Sequence, residues 1–157
     1  MKIIIMAVGR TATDYLRTAT DDYVRRASRY MPVEFVIIPD IKTSRTLDEG
    51  VQKEREGAKI IEGLQPGDRV VLLDEHGRQM TSREFAGFIE KSAVVGLKRI
   101  VFVIGGPYGF SDEVHRRADS ELSLSRMTFS HEMVRLFFAE QVYRAMTILR
   151  GEPYHHD

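Results

Sequence analysis

The chain contains no cysteine, carries no net charge and lacks a long hydrophobic run. The absence of cysteine excludes disulfides, thiolate metal sites and cysteine nucleophiles. It is compatible with a protein that works in a reducing compartment. The 23 basic and 23 acidic residues balance, so composition gives no support for general nucleic-acid binding. The apolar run at residues 3–8 is too short for a membrane span and is not followed by a signal-peptide cleavage pattern. We therefore expect a cytoplasmic protein with no membrane association.

Several sequence motifs that would identify an active site are also missing. Residues 105–109 read GGPYG, which is neither GxGxxG nor the GxxxxGK[ST] phosphate loop. Ser123, Ser125 and Ser130 precede His131 but form no nucleophile elbow, and serines before a helix more often cap it. The pair His155-His156 has no third ligand at a suitable spacing, so we expect no metal site. His76 and His115 fall in expected surface regions, and we assign them no role.

The 157 residues, 43% of them hydrophobic, can fold as a single domain with a substantial core. Apolar runs without period-two alternation predict strands, and segments with a period near 3.6 predict helices. The predicted strands are residues 2–8, 33–38, 69–74, 99–104 and 122–124; the predicted helices are 13–30, 51–64, 81–95, 112–118 and 130–150. Residues 40–49 are polar and read as a flexible loop. This alternation predicts an α/β fold with a mostly parallel sheet flanked by helices.

The last predicted helix is apolar around most of its circumference. Its polar residues, Glu140, Gln141, Arg144 and Thr147, cluster on one narrow face. Such a helix needs more apolar partners than one sheet face offers, and a subunit interface is a natural second partner. Arg135 lies in the middle of the apolar arc, where a buried cation needs an acceptor. The residues leave two interpretations open: a structural ion pair with an Asp or Glu, or an anion contact near a site.

Ligands of open parallel sheets bind beyond the C-terminal ends of the strands. Three predicted strand ends, at residues 72–74, 104–106 and 124–126, are candidates for ligand binding. The glycines of the second end allow a ligand to approach the backbone closely. A double glycine after a strand is more often a tight turn than a binding site, so the pattern predicts a ligand site at residues 105–131 without identifying its ligand.

Three segments together resemble a known family. FVIGGPYGF, then LSLSRMTFSHEMVRLFFAEQVYRAMTILRGEPYHH, and the N-terminal KIIIMAVGR are similar to the small SPOUT-class methyltransferases that methylate N3 of a pseudouridine in 23S ribosomal RNA. The resemblance covers essentially the whole chain. It implies a C-terminal deep trefoil knot, a homodimer, S-adenosylmethionine as methyl donor, and the assembled ribosome as substrate.

The resemblance also assigns site residues. The positions that bind the cofactor in the family correspond to Leu73, Gly105, Leu124, Ser125, Arg126, Met127, Thr128 and Phe129, and Gly106 and Gly109 match its glycine pattern. The family varies at Arg126, so we expect its backbone to make the contact. For catalysis, our first candidate to accept the N3 proton is His131, and Arg135 is a candidate to hold a phosphate or a developing anionic oxygen. Tyr154 and His155, in cis or from a partner subunit, are candidates to close the site.

Two alternatives belong to other classes. One is a non-catalytic ribosome- or RNA-binding protein with the same fold, which would lack tight cofactor binding. The other is a SPOUT methyltransferase of transfer RNA, against which the short chain argues because it has no appended RNA-binding domain.

Overall fold

A computed structural model describes residues 1–41 and 48–156 of the chain. Most of the loop predicted at residues 40–49 lies outside the described residues. Five strands alternate with five helices: β1 (Lys2–Val8), α1 (Asp14–Ala27), β2 (Val33–Ile38), α2 (Glu49–Glu62), β3 (Arg69–Gln79), α3 (Ser82–Val94), β4 (Arg99–Ile104), α4 (Asp112–Arg117), β5 (Ser120–Ser123) and α5 (His131–Arg150). No helix among these residues is long and apolar enough to cross a membrane.

The strands form one sheet in the order β2-β1-β4-β3-β5, and every neighbouring pair is parallel. Alternate side chains of β1 point to opposite faces, so Ile3 and Ile5 join one apolar cluster and Ile4 and Met6 the other. The first cluster packs against α1, α3 and α5, and the second against α2 and α4. The predicted α/β architecture is thus confirmed as three layers, with helices on both faces of the sheet.

Side-chain caps mark the starts of α3 and α5. The Thr81 hydroxyl accepts from the Glu84 amide at 3.1 Å while Glu84 accepts from the Thr81 amide at 2.7 Å, which is the predicted capping box. Ser130 caps α5 by accepting from the Met133 amide at 3.2 Å. At the other end of α5, Gly151 adopts a left-handed conformation with φ 66°, which ends the helix.

The face of α5 that meets the sheet is filled by aromatic rings. Phe138 is fully buried, and its ring lies 4.8 Å from that of Phe102 on β4 and 5.8 Å from that of Phe85 on α3. These tilted and edge-on contacts add to the free energy gained by burying the rings. They fix the position of α5, whose first turn borders the site described below.

Two strand boundaries differ from the sequence prediction. β5 begins at Ser120, two residues earlier than predicted, because its backbone pairs with β3 from Val71 onward. β3 continues to Gln79, five residues past Asp74, because the chain rejoins β5 at Arg78 after a register shift. The Glu75-His76-Gly77 segment has the composition of a turn, and the strand continues beyond it only because Arg78 and Gln79 pair again with β5.

The register shift creates a close crossing of two backbones. Leu122 of β5 pairs with both Leu73 and Arg78, so residues 74–77 leave and rejoin the ladder around it. A Cβ added to Gly77 would lie 2.6 Å from backbone atoms of Glu121 and Leu122. The trefoil knot implied by the family resemblance stays a prediction.

Candidate active site

A cavity of about 790 Å³ opens beside the middle of β3 and the C-terminal ends of β4 and β5. Its lining comes from the middle of β3, the loops that follow β4 and β5, the end of β5, one residue of α4 and the start of α5. The lining residues are Leu73, Asp74, Glu75, His76, Ile104, Gly105, Gly106, Pro107, Tyr108, Gly109, Phe110, His115, Glu121, Leu122, Ser123, Leu124, Ser125, Met127, Thr128, Phe129, Ser130, His131 and Val134. Its size and position are those of a ligand site in an open α/β sheet.

The first wall is the glycine loop at residues 105–109. The Gly109 amide donates to the Gly106 carbonyl at 3.2 Å, which closes a tight turn with Pro107 and Tyr108 at its tip. Gly109 has φ 77°, a conformation that side chains with a Cβ rarely adopt. Phe110 packs against Gly105, since its ring would lie 3.1 Å from an added Cβ. The loop is thus supported by Phe110, and both line the cavity.

The second wall is the segment from Leu124 to Ser130, which is shaped by its own serines. Ser123 donates its hydroxyl to the Ser125 carbonyl at 2.9 Å, and the Met127 amide donates to the Ser125 hydroxyl at 2.9 Å. Phe129 is anchored edge-on against Phe137 of α5 at 5.2 Å. These bonds hold the backbone of the segment around the cavity without the help of regular secondary structure.

Two histidine–carboxylate pairs lie on the remaining side of the cavity. Nδ1 of His115 is 2.6 Å from Glu121, and Nδ1 of His76 is 3.0 Å from Asp74, whose carboxylate also accepts from the His76 amide at 2.9 Å. Sequence reasoning gave no role to either histidine. Asp74 ends a predicted strand, which was a usable signal, but nothing in the sequence indicates that α4 turns His115 toward this cavity.

Among the residues that the structure describes, no cluster of His, Asp and Glu has the arrangement of a metal site. His76 and His115 are instead paired with Asp74 and Glu121. The site therefore offers backbone polar groups, hydroxyls and apolar contacts, a set suited to an organic ligand.

Comparison with known proteins decides the family. A family model described as "Predicted SPOUT methyltransferase" matches residues 1–155. The chain belongs to the SPOUT methyltransferase family. A relative from Christiangramia forsetii named "Ribosomal RNA large subunit methyltransferase H" is 54% identical over 156 residues, covering 99% of both chains. A relative of the same name from Bacteroides thetaiotaomicron is 50% identical over 157 residues, covering all of both.

Solved structures agree on the fold. A probable methyltransferase from Bordetella pertussis superposes with a TM-score of 0.57 at 11% identity, covering 92% of this chain and 96% of the other. A probable methylase family protein from Haemophilus influenzae gives 0.51 at 13% identity, covering 95% and 66%. At these identities the likeness concerns the fold alone.

Within this SPOUT fold, nine of the ten residues predicted to bind cofactor line the cavity. They are Leu73, Gly105, Gly106, Gly109, Leu124, Ser125, Met127, Thr128 and Phe129. Arg126 is exposed and does not line it. Of the four predicted catalytic residues, only His131, the first residue of α5, lines it. The structure thus gathers the predicted cradle at one place, while the binding roles themselves stay predictions.

Arg135 does not line the cavity, and its side chain forms hydrogen bonds with the end of β1 and the residues that follow it. Its guanidinium donates to the carbonyls of Val8 at 2.7 Å and Gly9 at 2.8 Å and to the Thr11 hydroxyl at 3.0 Å. Burial lowers the pKa of Arg135, against the opposing effect of the Glu132 and Asp40 carboxylates. Because its acceptors are neutral, one of the two interpretations left open by the sequence, an ion pair with an Asp or Glu, is wrong. The predicted contact with substrate has no support in this geometry.

The C-terminal tail packs on the far part of α5. The Tyr154 hydroxyl donates to Glu140 at 3.0 Å, its ring lies 4.7 Å from that of Tyr143, and the Arg144 guanidinium sits 4.7 Å above the ring. His155 contacts Arg144 at 3.3 Å. Burial and the hydrogen bonds with the Tyr23 hydroxyl and the Glu140 carboxylate raise the pKa of Tyr154. Tyr154 and His155 therefore lie outside the cavity of their own chain.

Proposed function

We propose that this protein transfers a methyl group from S-adenosylmethionine to N3 of a pseudouridine in 23S ribosomal RNA on the assembled ribosome. The observation that carries the proposal is full-length identity of 50–54% to relatives named as large-subunit ribosomal RNA methyltransferases. The cavity beyond the strand ends gives such an activity a place. A ribosomal substrate implies that the protein works in the cytoplasm.

The cavity residues fit S-adenosylmethionine as resident cofactor. At about 790 Å³, the cavity is within the range of small-molecule sites. The glycine loop and the 124–129 segment present backbone groups and the Thr128 hydroxyl for polar contacts, while Leu73, Leu124 and Phe129 supply apolar surface. When bound, the cofactor supplies an electrophilic methyl group on a sulfonium. The protein's task is then mainly to hold the two reactants in line.

His131 is our candidate to accept the proton from N3. The imide nitrogen of pseudouridine must lose its proton to become a nucleophile, and imidazole is the side chain most often used as a general base. His131 is exposed and lines the cavity at the first residue of α5, where packing of the helix onto the sheet fixes its backbone. We propose that the imidazole of His131 removes the proton from N3.

A homodimer would complete the site. Tyr154 contacts Glu140, which lies six residues beyond the last cavity residue of α5, Val134, or about 9 Å along the helix axis. Phe137 of α5 is 40% exposed and adjoins a second cavity of about 320 Å³ between α3, β5 and α5. Covering this surface with a second copy would bury apolar area and bring the partner's tail toward the cavity of the first chain. Sedimentation of a fully active monomer at micromolar concentration would refute the dimer.

The decisive experiment compares 23S ribosomal RNA from cells with and without the protein by mass spectrometry. We expect loss of one methyl group on a single pseudouridine, restored by the wild-type gene and not by His131→Ala. His76→Ala serves as the matched control, because it removes an imidazole that lines the same cavity. An unchanged large-subunit RNA with one methyl group missing from transfer RNA would select the transfer-RNA alternative. Absence of cofactor binding in calorimetry would select the non-catalytic one.

A further inference from the structure

A buried carboxylate lies behind the glycine loop. Glu56 of α2 is 5% exposed, and its Oε1 accepts from the Gln52 side chain at 3.1 Å. Its Oε2 is fully buried and has no hydrogen-bond partner among the residues that the structure describes. A buried carboxylate oxygen without a partner costs free energy, so its presence at this position needs an explanation.

The unpaired oxygen is directed at Gly106. A Cβ added to Gly106 would lie 2.8 Å from Oε2 and 3.3 Å from Oε1, so the carboxylate rests directly on the backbone of the loop. Gly106 itself also lines the cavity. One residue of the loop therefore separates an unsatisfied acceptor from the space in which the cofactor is proposed to bind.

Packing of two helices holds Glu56 in this place. A Cβ on the next residue, Gly57, would lie 2.2 Å from the Ser111 hydroxyl, which caps α4. This close approach presses α2 against the start of α4 and fixes Glu56 beneath the loop. Pro107 has no amide hydrogen, so the donors that the loop tip can offer to Oε2 are the amides of Gly106 and Tyr108.

We propose that Glu56 is a positioning residue for the cofactor loop. Its free Oε2 accepts a hydrogen bond from the Gly106 or Tyr108 amide when the loop settles on the bound cofactor. The inference rests on the proposed function, since it takes S-adenosylmethionine as the ligand. Binding of S-adenosylmethionine would then give Oε2 the partner that it lacks in the free protein. The unpaired oxygen would lower the stability of the free protein.

Calorimetry with S-adenosylmethionine and thermal unfolding of the free protein test this together on Glu56→Met and Glu56→Gln. A hydrogen bond to a charged group corresponds to about a 10- to 100-fold change in the dissociation constant, and Glu56→Met should weaken binding by that factor. The midpoint temperature of the free Glu56→Met protein should stay equal or rise, because a buried charge has been replaced by an apolar side chain of similar size. Glu56→Gln keeps one acceptor oxygen and should bind within about threefold of wild type.

Glu54→Met is the matched control, since Glu54 is exposed on the same helix. It should leave both quantities unchanged. A lower midpoint temperature with unchanged affinity in Glu56→Met would mean that Glu56 only supports the fold, and would overturn the proposal. An unchanged dissociation constant together with an unchanged midpoint temperature in Glu56→Met would overturn the proposal as well. If the wild-type protein itself fails to bind S-adenosylmethionine, the proposed function fails, and that result is distinct from either of the others.

Discussion

Replacing Arg135 by methionine should destabilise the protein without removing a group from the cavity. The guanidinium is 1% exposed and is shared by two carbonyls at the end of β1 and one threonine hydroxyl. Methionine fills similar space but donates nothing, so all three buried acceptors lose this donor. The change therefore separates a structural role of Arg135 from a catalytic one.

The magnitude follows from two opposing effects. Each orphaned acceptor costs about 1–3 kcal/mol, or about 3–9 kcal/mol for the three. Among the described residues, no carboxylate is in direct contact with this buried cation, so its removal returns several kcal/mol of desolvation free energy. We expect a net loss of about 2–4 kcal/mol, which in a domain of this size lowers the midpoint temperature by about 5–15 °C.

Urea denaturation followed by circular dichroism measures this loss, with exposed Arg116→Met on α4 as the control. Arg116→Met should change the free energy of unfolding by no more than about 0.5 kcal/mol. Wild-type stability of Arg135→Met would refute the structural role. If Arg135→Met were instead fully folded and bound cofactor normally while methylation was lost, a catalytic role would replace the structural one.

Three further changes follow from other parts of the structure. Phe138→Ala should lower the free energy of unfolding by about 3–5 kcal/mol in the same assay, because the ring is fully buried against Phe85 and Phe102. Gly77→Ala should cost more than about 2 kcal/mol, since the new Cβ would meet rigid β5 backbone 2.6 Å away; near-wild-type stability would mean that the crossing yields easily. Hydrogen bonds from the Thr13 side chain and the Ala12 amide lower the pKa of Glu132 below its ordinary 4.5. The contribution of Glu132 to the free energy of unfolding is therefore complete above pH 4.5, and it is lost as the pH falls through the lower pKa of the folded state. Glu132→Gln should remove this acid-dependent step from a pH series of unfolding curves, and an unchanged series would refute the assignment.

The strands and helices could be predicted from the sequence because each carries its own local signal. The apolar run at β1 has the length of a buried strand, and Thr81 with Glu84 has the spacing of a capping box. The second half of β3 could not be predicted, because residues 75–77 have the composition of a turn. Their place in the sheet comes from β5, a neighbour about 45 residues further along the chain.

The part of the cavity formed by the loops after β4 and β5 could be located from the strand ends, but its other walls could not. His76 and His115 are polar residues in segments with surface character, and only the packing of α4 and the course of β3 bring them to the cavity. The burial of Arg135 was predictable from its place in the apolar arc of α5. Its acceptors were not, because backbone carbonyls at a strand end carry no sequence signature.

The double glycine shows why a weak sequence signal resists interpretation without structure. An added Cβ would lie 3.1 Å from the Phe110 ring at Gly105 and 2.8 Å from the Glu56 carboxylate at Gly106, so either substitution would displace a neighbouring side chain. Loss of cofactor binding in Gly105→Ala or Gly106→Ala would therefore not demonstrate contact with the cofactor, since either change also disturbs the packing of the loop. Thr128→Val is the more informative variant, because Thr128 is exposed to the cavity and the change removes only a hydroxyl at nearly constant volume. A loss of about tenfold in affinity with unchanged stability would show direct contact, and an unchanged dissociation constant would exclude that hydroxyl from the cofactor site.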